Sequence, residues 1–202
     1  EVVITVSHQG YVKRTALTEY RTQGRGGIGS KGVSTKEDDW TEYLFTASTH
    51  NYLLIFTDKG KLFWLKTYAI PEGSKTAKGR PIQNLINITQ DDKIRSIIQV
   101  ENLEDQDYIN NHFLVMVTKQ GVIKKTTLEQ YSRPRTNGIN AITIKDGDEL
   151  LEAKLTTGAS QVMLAVKSGK AIRFHEDATR PMGRNATGVR GIRIEDTDEV
   201  IG

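Results

Sequence analysis

Four segments of the chain line up on a shared glycine: VVITVSHQGYVKRT, YLLIFTDKGKLFWLK, FLVMVTKQGVIKKT and VMLAVKSGKAIRF. Each is an apolar, β-branched run, a polar turn closed by glycine, and a second run carrying basic residues. The turn glycines are Gly10, Gly60, Gly121 and Gly169, spaced by 50, 61 and 48 residues. Strand, short glycine turn, strand reads as a β-hairpin. A hairpin that recurs at this spacing restricts the chain to repeat architectures.

The likeness continues past each hairpin. A basic, polar link follows and closes at a further glycine: Gly32, Gly79, Gly138 and Gly188. Short alternating segments come next, such as INAITIKDGDEL and VRGIRIEDTDEV, and alternation at period two implies one packed and one wet face. Each unit ends in an acidic turn. The units span roughly 1–41, 42–100, 108–155 and 156–202, with about four short strands each and no convincing helix. The expected fold is all-β and propeller-like, with blades stacked because one blade cannot bury both its faces. Residues 101–111, ENLEDQDYINN, are an insertion with four acidic residues and read as a solvated loop.

Composition removes several classes. There are no cysteines, so neither disulfides nor thiolate metal sites form, which fits a reducing compartment. No apolar run is long enough for a transmembrane helix. The catalytic patterns GxxxxGK[ST], HExxH and GxSxG are missing. GRGGIG begins a dinucleotide-like string, but it follows no buried strand and opens no helix. The four histidines have no ligand spacing. The acidic turns lack the spacing of a calcium loop and read as solvated. Phe63 and Trp64 read as a packed strand.

The net charge of +3 hides a segregation of 28 basic and 25 acidic residues. Basic residues collect on the second hairpin strand: Lys13, Arg14, Lys66, Lys124, Lys125 and Arg173. They collect again in the links: Arg25 and Lys31, Lys78 and Arg80, Arg133 and Arg135, Arg184 and Arg190. If the units are equivalent, these clusters form a positive stripe. Such a stripe suits a bent duplex, held through its phosphates without regard to sequence. The bland alternatives are flexible glycine-rich linkers and solvated surface charges.

The stretches VVITVSHQGYVKRTALTEYRTQGRGGIGSKG, VIKKTTLEQYSRPRTNGINAI and MGRNATGVRGIRI resemble the C-terminal domain of the A subunit of bacterial DNA gyrase, and the resemblance covers all four units. It implies a β-pinwheel, a propeller-like disc, with four of the family's six blades present. It implies a rim that wraps double-stranded DNA with positive handedness. It also implies a holoenzyme containing the rest of gyrase A together with gyrase B, an ATP-dependent type II topoisomerase in the cytoplasm, associated with the nucleoid. The family's box matches at Gln23, Arg25, Gly26, Gly27 and Gly29. Gly24 and Ile28 stand where basic residues are usual, and Lys31 is displaced by a few positions. The family's cleaving tyrosine follows an arginine, and no tyrosine here does. The chain is therefore expected to bind DNA without cutting it and without a cofactor of its own. Two other readings are the related domain of topoisomerase IV, with weaker wrapping, and a protein-binding propeller scaffold.

Overall fold

The first three repeats open on hairpins whose first strands are buried on both faces, whereas the hairpin of the fourth repeat is largely exposed. In the computed structural model, residues 1–20 and 38–202 are described. The first unit contributes β1 (Val2–Ser7), β2 (Tyr11–Ala16) and β3 (Thr41–Ala47). The second contributes β4 (Tyr52–Thr57), β5 (Lys61–Lys66), β6 (Arg80–Pro81) and β7 (Ile94–Val100). A short helix, α1 (Gln106–Asn110), precedes the third unit. That unit holds β8 (Phe113–Thr118), β9 (Val122–Thr127), β10 (Ile139–Asn140) and β11 (Leu150–Thr156). The fourth holds β12 (Gln161–Ala165), β13 (Ala171–His175) and β14 (Val189–Arg190).

The sheets do not coincide with the sequence repeats. Their strand orders are β3-β1-β2-β6, β10-β5-β4-β7 and β11-β8-β9-β14, with a two-stranded β12-β13 sheet in the last unit. The outermost strands β6, β10 and β14 therefore come from the link of the following unit. A unit lends its link strand backwards, so each of the first three blades is completed by its successor. The same exchange recurs in the backbone: the turn carbonyls of Gly10, Gly60 and Gly121 accept hydrogen bonds from Ile82, Ala141 and Gly191 at 2.8, 2.8 and 2.7 Å.

The link glycines make this approach possible. Gly79, Gly138 and Gly188 have φ of +92°, +72° and +104°. A Cβ at these positions would lie 2.5, 2.8 and 2.6 Å from the carbonyl oxygens of Val12, Leu62 and Ile123. Only glycine tolerates both the left-handed backbone and so close a neighbour.

The apolar cores lie between units. Ile4 and Val12 of the first hairpin pack with Leu53, Ile55, Phe63 and Leu65 of the second. Leu54, Phe56, Leu62 and Trp64, from the same second hairpin, pack with Leu114, Met116 and Leu128 of the third. Neighbouring strand residues point to opposite faces, so β4 is covered on both. Truncating Leu54, fully buried, to alanine should cost about 2–5 kcal/mol.

The inserted segment at 101–111 differs from the solvated loop expected of it. Asp105 caps α1 by accepting from the backbone N–H groups of Asp107 and Tyr108. Leu103 and Ile109 enter the core between the second and third units. Among the described residues, no helix is long and apolar enough to cross a membrane.

Candidate nucleic-acid interface

The basic residues divide into two groups with different fates. On the second hairpin strand, three lysines of the first and third units are buried. Lys13 is 1% exposed, Lys124 0% and Lys125 3%. The Lys13 ammonium donates to the carbonyls of Ser74, Lys75 and Ala77 at 2.9, 2.6 and 2.9 Å. Lys124, at the same place in the third unit, donates to the carbonyls of Ala141 and Arg184. In the second unit this position is Phe63, whose ring lies against Gly138. Burial lowers the pKa of Lys13 against the opposing charge of Glu19. Burial, helped by the charge of Arg184, brings Lys124 down to about 8.

The next residue along the strand faces the other way and also joins two units. Arg14 donates to the Ile70 carbonyl at 3.0 Å and lies 3.4 Å from Glu72. Trp64 donates its indole N–H to the Tyr131 carbonyl at 2.9 Å. Lys125 pairs with buried Glu176 at 3.0 Å. Burial pushes the Glu176 carboxyl up, but Lys125, the Ser160 N–H and the Thr156 hydroxyl outweigh it and hold the group below its usual range.

The expectation that Lys13, Lys124 and Lys125 present charge to a partner is thus corrected. Their ammonium groups are consumed by carbonyls and a carboxylate, of the following unit except for the Ala141 carbonyl, which belongs to the unit of Lys124 itself, and Arg14 is half-committed in the same way. Lys66 is half-buried, 5.0 Å from the Tyr52 ring centre and 5.4 Å from that of Tyr68. Arg173 is exposed on β13.

The link residues stay at the surface. Arg80, Arg133, Arg135 and Arg190 are exposed, while Lys78 and Arg184 are half-buried. Lys78 sits 3.9 Å above the Tyr11 ring. Arg133 also forms an exposed pair with Glu129. The decisive arrangement lies between the third and fourth units. Gln130, Arg133 and Arg135 from one unit and Gly183, Arg184, Asn185 and Ala186 from the next line a cleft of about 480 Å³, each unit supplying one wall. A second cleft of about 590 Å³ gathers Arg190 with Lys145 and Arg193. The sequence patterns do not single out Lys145 and Arg193. Their signal is a position on the polar side of the alternating segments, outside the links where the basic clusters fall.

Successive links also touch. Asn87 donates to the Asn137 side chain at 2.7 Å, joining the second link region to the third. Thr143 donates to the Asn185 carbonyl at 2.9 Å, joining the third unit to the fourth link. The Lys75 N–H donates to Glu19 at 3.0 Å, joining the second link to the turn after β2. Gln23, Arg25, Gly26, Gly27, Gly29 and Lys31 lie outside the described residues.

The acidic turns are structural. Asp39, Asp148 and Asp198 each accept from the backbone N–H just before the turn glycine, at Gln9, Gln120 and Ser168, at 2.9, 3.0 and 3.1 Å. In the second unit the turn residue Lys59 instead reaches Asp92 with its ammonium at 3.4 Å.

These repeats correspond to a known family. A family model described as DNA gyrase C-terminal domain, beta-propeller, matches residues 1–48, 51–101, 112–157 and 161–202, one stretch per unit. The chain belongs to the DNA gyrase C-terminal domain family. It is 46% identical over 201 residues to the DNA gyrase A protein of Salmonella typhimurium, covering 100% of the chain and 22% of that relative. The chain therefore spans about a fifth of the length of this gyrase protein. Among solved structures, the C-terminal domain of DNA topoisomerase IV matches with a TM-score of 0.81 at 28% identity, covering 100% of the chain and 59% of that structure. A DNA gyrase A C-terminal domain matches with a TM-score of 0.76 at 24% identity, covering 100% and 63%. Backbone likeness alone does not separate the two topoisomerase branches. In sequence, the 46% identity to the Salmonella typhimurium gyrase A protein exceeds the 28% to the topoisomerase IV domain.

Proposed function

We propose that the chain binds duplex DNA without sequence preference, along a path made by its links, and bends the duplex around the stacked units. The observation that carries this reading is the convergence of Arg133, Arg135 and Arg184, from two successive units, on one open cleft. Guanidinium groups suit phosphate because their planar donors match its oxygens. Hydrogen bonds join each link region to its neighbour, and bending costs on the order of 1–6 kcal/mol, offset by added phosphate contacts.

In the whole protein, wrapping by this domain would present a DNA segment for strand passage and support negative supercoiling. The partners are then the rest of gyrase A, gyrase B, which would hydrolyse the ATP, and DNA, in the cytoplasm at the nucleoid. The chain itself would need no cofactor. Binding to a mixed-sequence duplex, titrated with salt, tests the reading. A steep linear fall of log affinity with log salt, the same for unrelated sequences, is expected. No binding at low salt would instead support a protein-binding scaffold.

A further inference from the structure

Resting on that DNA-binding reading, the geometry points to Lys124 as a positioning residue: its buried ammonium ties together the two walls of the arginine cleft, so that Arg133, Arg135 and Arg184 face a single phosphate path. One wall follows Tyr131, which is fully buried and donates its hydroxyl to the Ala141 carbonyl at 2.8 Å. Lys124 donates to that same carbonyl at 2.8 Å. Its ammonium also donates to the carbonyl of Arg184 on the opposite wall. The chain of contacts therefore runs Tyr131, Ala141, Lys124, Arg184, and ends on a residue that lines the cleft.

Three physical points support a positioning role over simple packing. The two carbonyls belong to different units, so the ammonium fixes a relative placement that neither unit sets alone. The group is wholly out of water, and a buried ammonium demands strong acceptors, which makes the placement unforgiving. Arg184 is anchored through its backbone carbonyl and is one of the residues that line the cleft. Lys13 makes the matching connection from the first unit to the second link.

The test uses the intact protein and a short mixed-sequence duplex, with affinity measured across a salt series. Four proteins are compared: wild type, Lys124→Met, the triple variant Arg133→Ala/Arg135→Ala/Arg184→Ala, and the combination of both. The triple variant is expected to bind about tenfold more weakly, with a salt slope shallower by about one unit for each phosphate it no longer neutralises. Lys124→Met, which removes no surface charge, is expected to lose slope in the same direction. Adding it to the triple variant should produce no further loss. A role confined to stability would lower the unfolding midpoint and leave the slope alone.

A folded Lys124→Met protein with wild-type slope, or one whose loss simply adds to that of the triple variant, overturns the assignment. Should Lys124→Met not fold, Tyr131→Phe serves, since it removes the hydroxyl that shares the Ala141 carbonyl with the Lys124 ammonium. A smaller loss of slope is expected there, and an unchanged slope overturns the assignment. Failure of wild type to bind DNA overturns the underlying reading instead, and is recognised before any variant is compared.

Discussion

The Lys125 ammonium and the Glu176 carboxylate face each other at 3.0 Å across the boundary between the third and fourth units, with side chains only 3% and 0% exposed. The carboxylate also accepts from the Thr156 hydroxyl and the Ser160 N–H, at 2.9 and 2.8 Å. Removing one member should strand the other in the core. Lys125→Met or Glu176→Gln alone is expected to cost about 3–5 kcal/mol, because an uncompensated buried group remains. Lys125→Met combined with Glu176→Leu should recover a good part of that loss. Urea denaturation of the two single variants and the pair measures the coupling.

Link glycines offer a matched comparison. Gly188→Ala places a Cβ 2.6 Å from the Ile123 carbonyl at φ +104°, whereas Gly183 has nothing within 4 Å of that position. Gly188→Ala should destabilise by more than about 1 kcal/mol, the cost of an unfavourable backbone conformation, and loosen the β14–β9 pairing. Gly183→Ala should stay within about 0.5 kcal/mol of wild type. Thermal melts and amide exchange at Ile123 report both effects.

Stability should depend on alkaline pH through Lys124. Its folded pKa is about 8, below the ordinary 10.5. Between these values the unfolded chain holds a proton that the folded chain does not, so stability rises with pH across that window. The slope is on the order of 1 kcal/mol per pH unit. Lys13, also lowered, acts in the same direction. Tyr43 and Tyr131, both pushed up to about 12 mainly by burial, act oppositely above pH 10. Denaturant midpoints at pH 8 and pH 10 should show the wild-type rise, and Lys124→Met should show less of it.

The acidic turns separate into caps and bystanders. Asp148 accepts from Gln120 and Glu149 at 3.0 and 2.8 Å, while Asp146 is exposed. Asp148→Ala should therefore cost about 1 kcal/mol, as loss of a side-chain cap on backbone donors does. Asp146→Ala should be neutral. Neither change should weaken DNA binding, which a duplex titration beside the melts would check.

Much of the architecture was readable from residues such as Gly10, Gly60, Gly121 and Gly169, because a glycine turn between apolar runs has few other solutions. The loan of β6, β10 and β14 was not readable. A strand of two residues has no periodicity, and its partner lies in another repeat. The fate of Lys124 and Lys125 was hidden for a different reason. Adjacent strand residues face opposite ways, and sequence suggests that one face is wet, but stacking buries both. The link arginines were legible as charge, yet only the fold brings Arg133 and Arg135 within one cleft of Arg184. The helix at Gln106–Asn110 was not legible because its acidic surroundings mask two buried anchors, Leu103 and Ile109.

The most direct test of the wrapping path is topological. Relaxed circular DNA is sealed by ligase in the presence of the intact protein, as wild type and as Arg133→Ala/Arg135→Ala/Arg184→Ala. Wild type should shift the sealed circles toward positive linking numbers, and the variant should give a clearly smaller shift at equal bound protein. An unshifted distribution with wild type, or an equal shift with the variant, would contradict a DNA path through the arginine cleft.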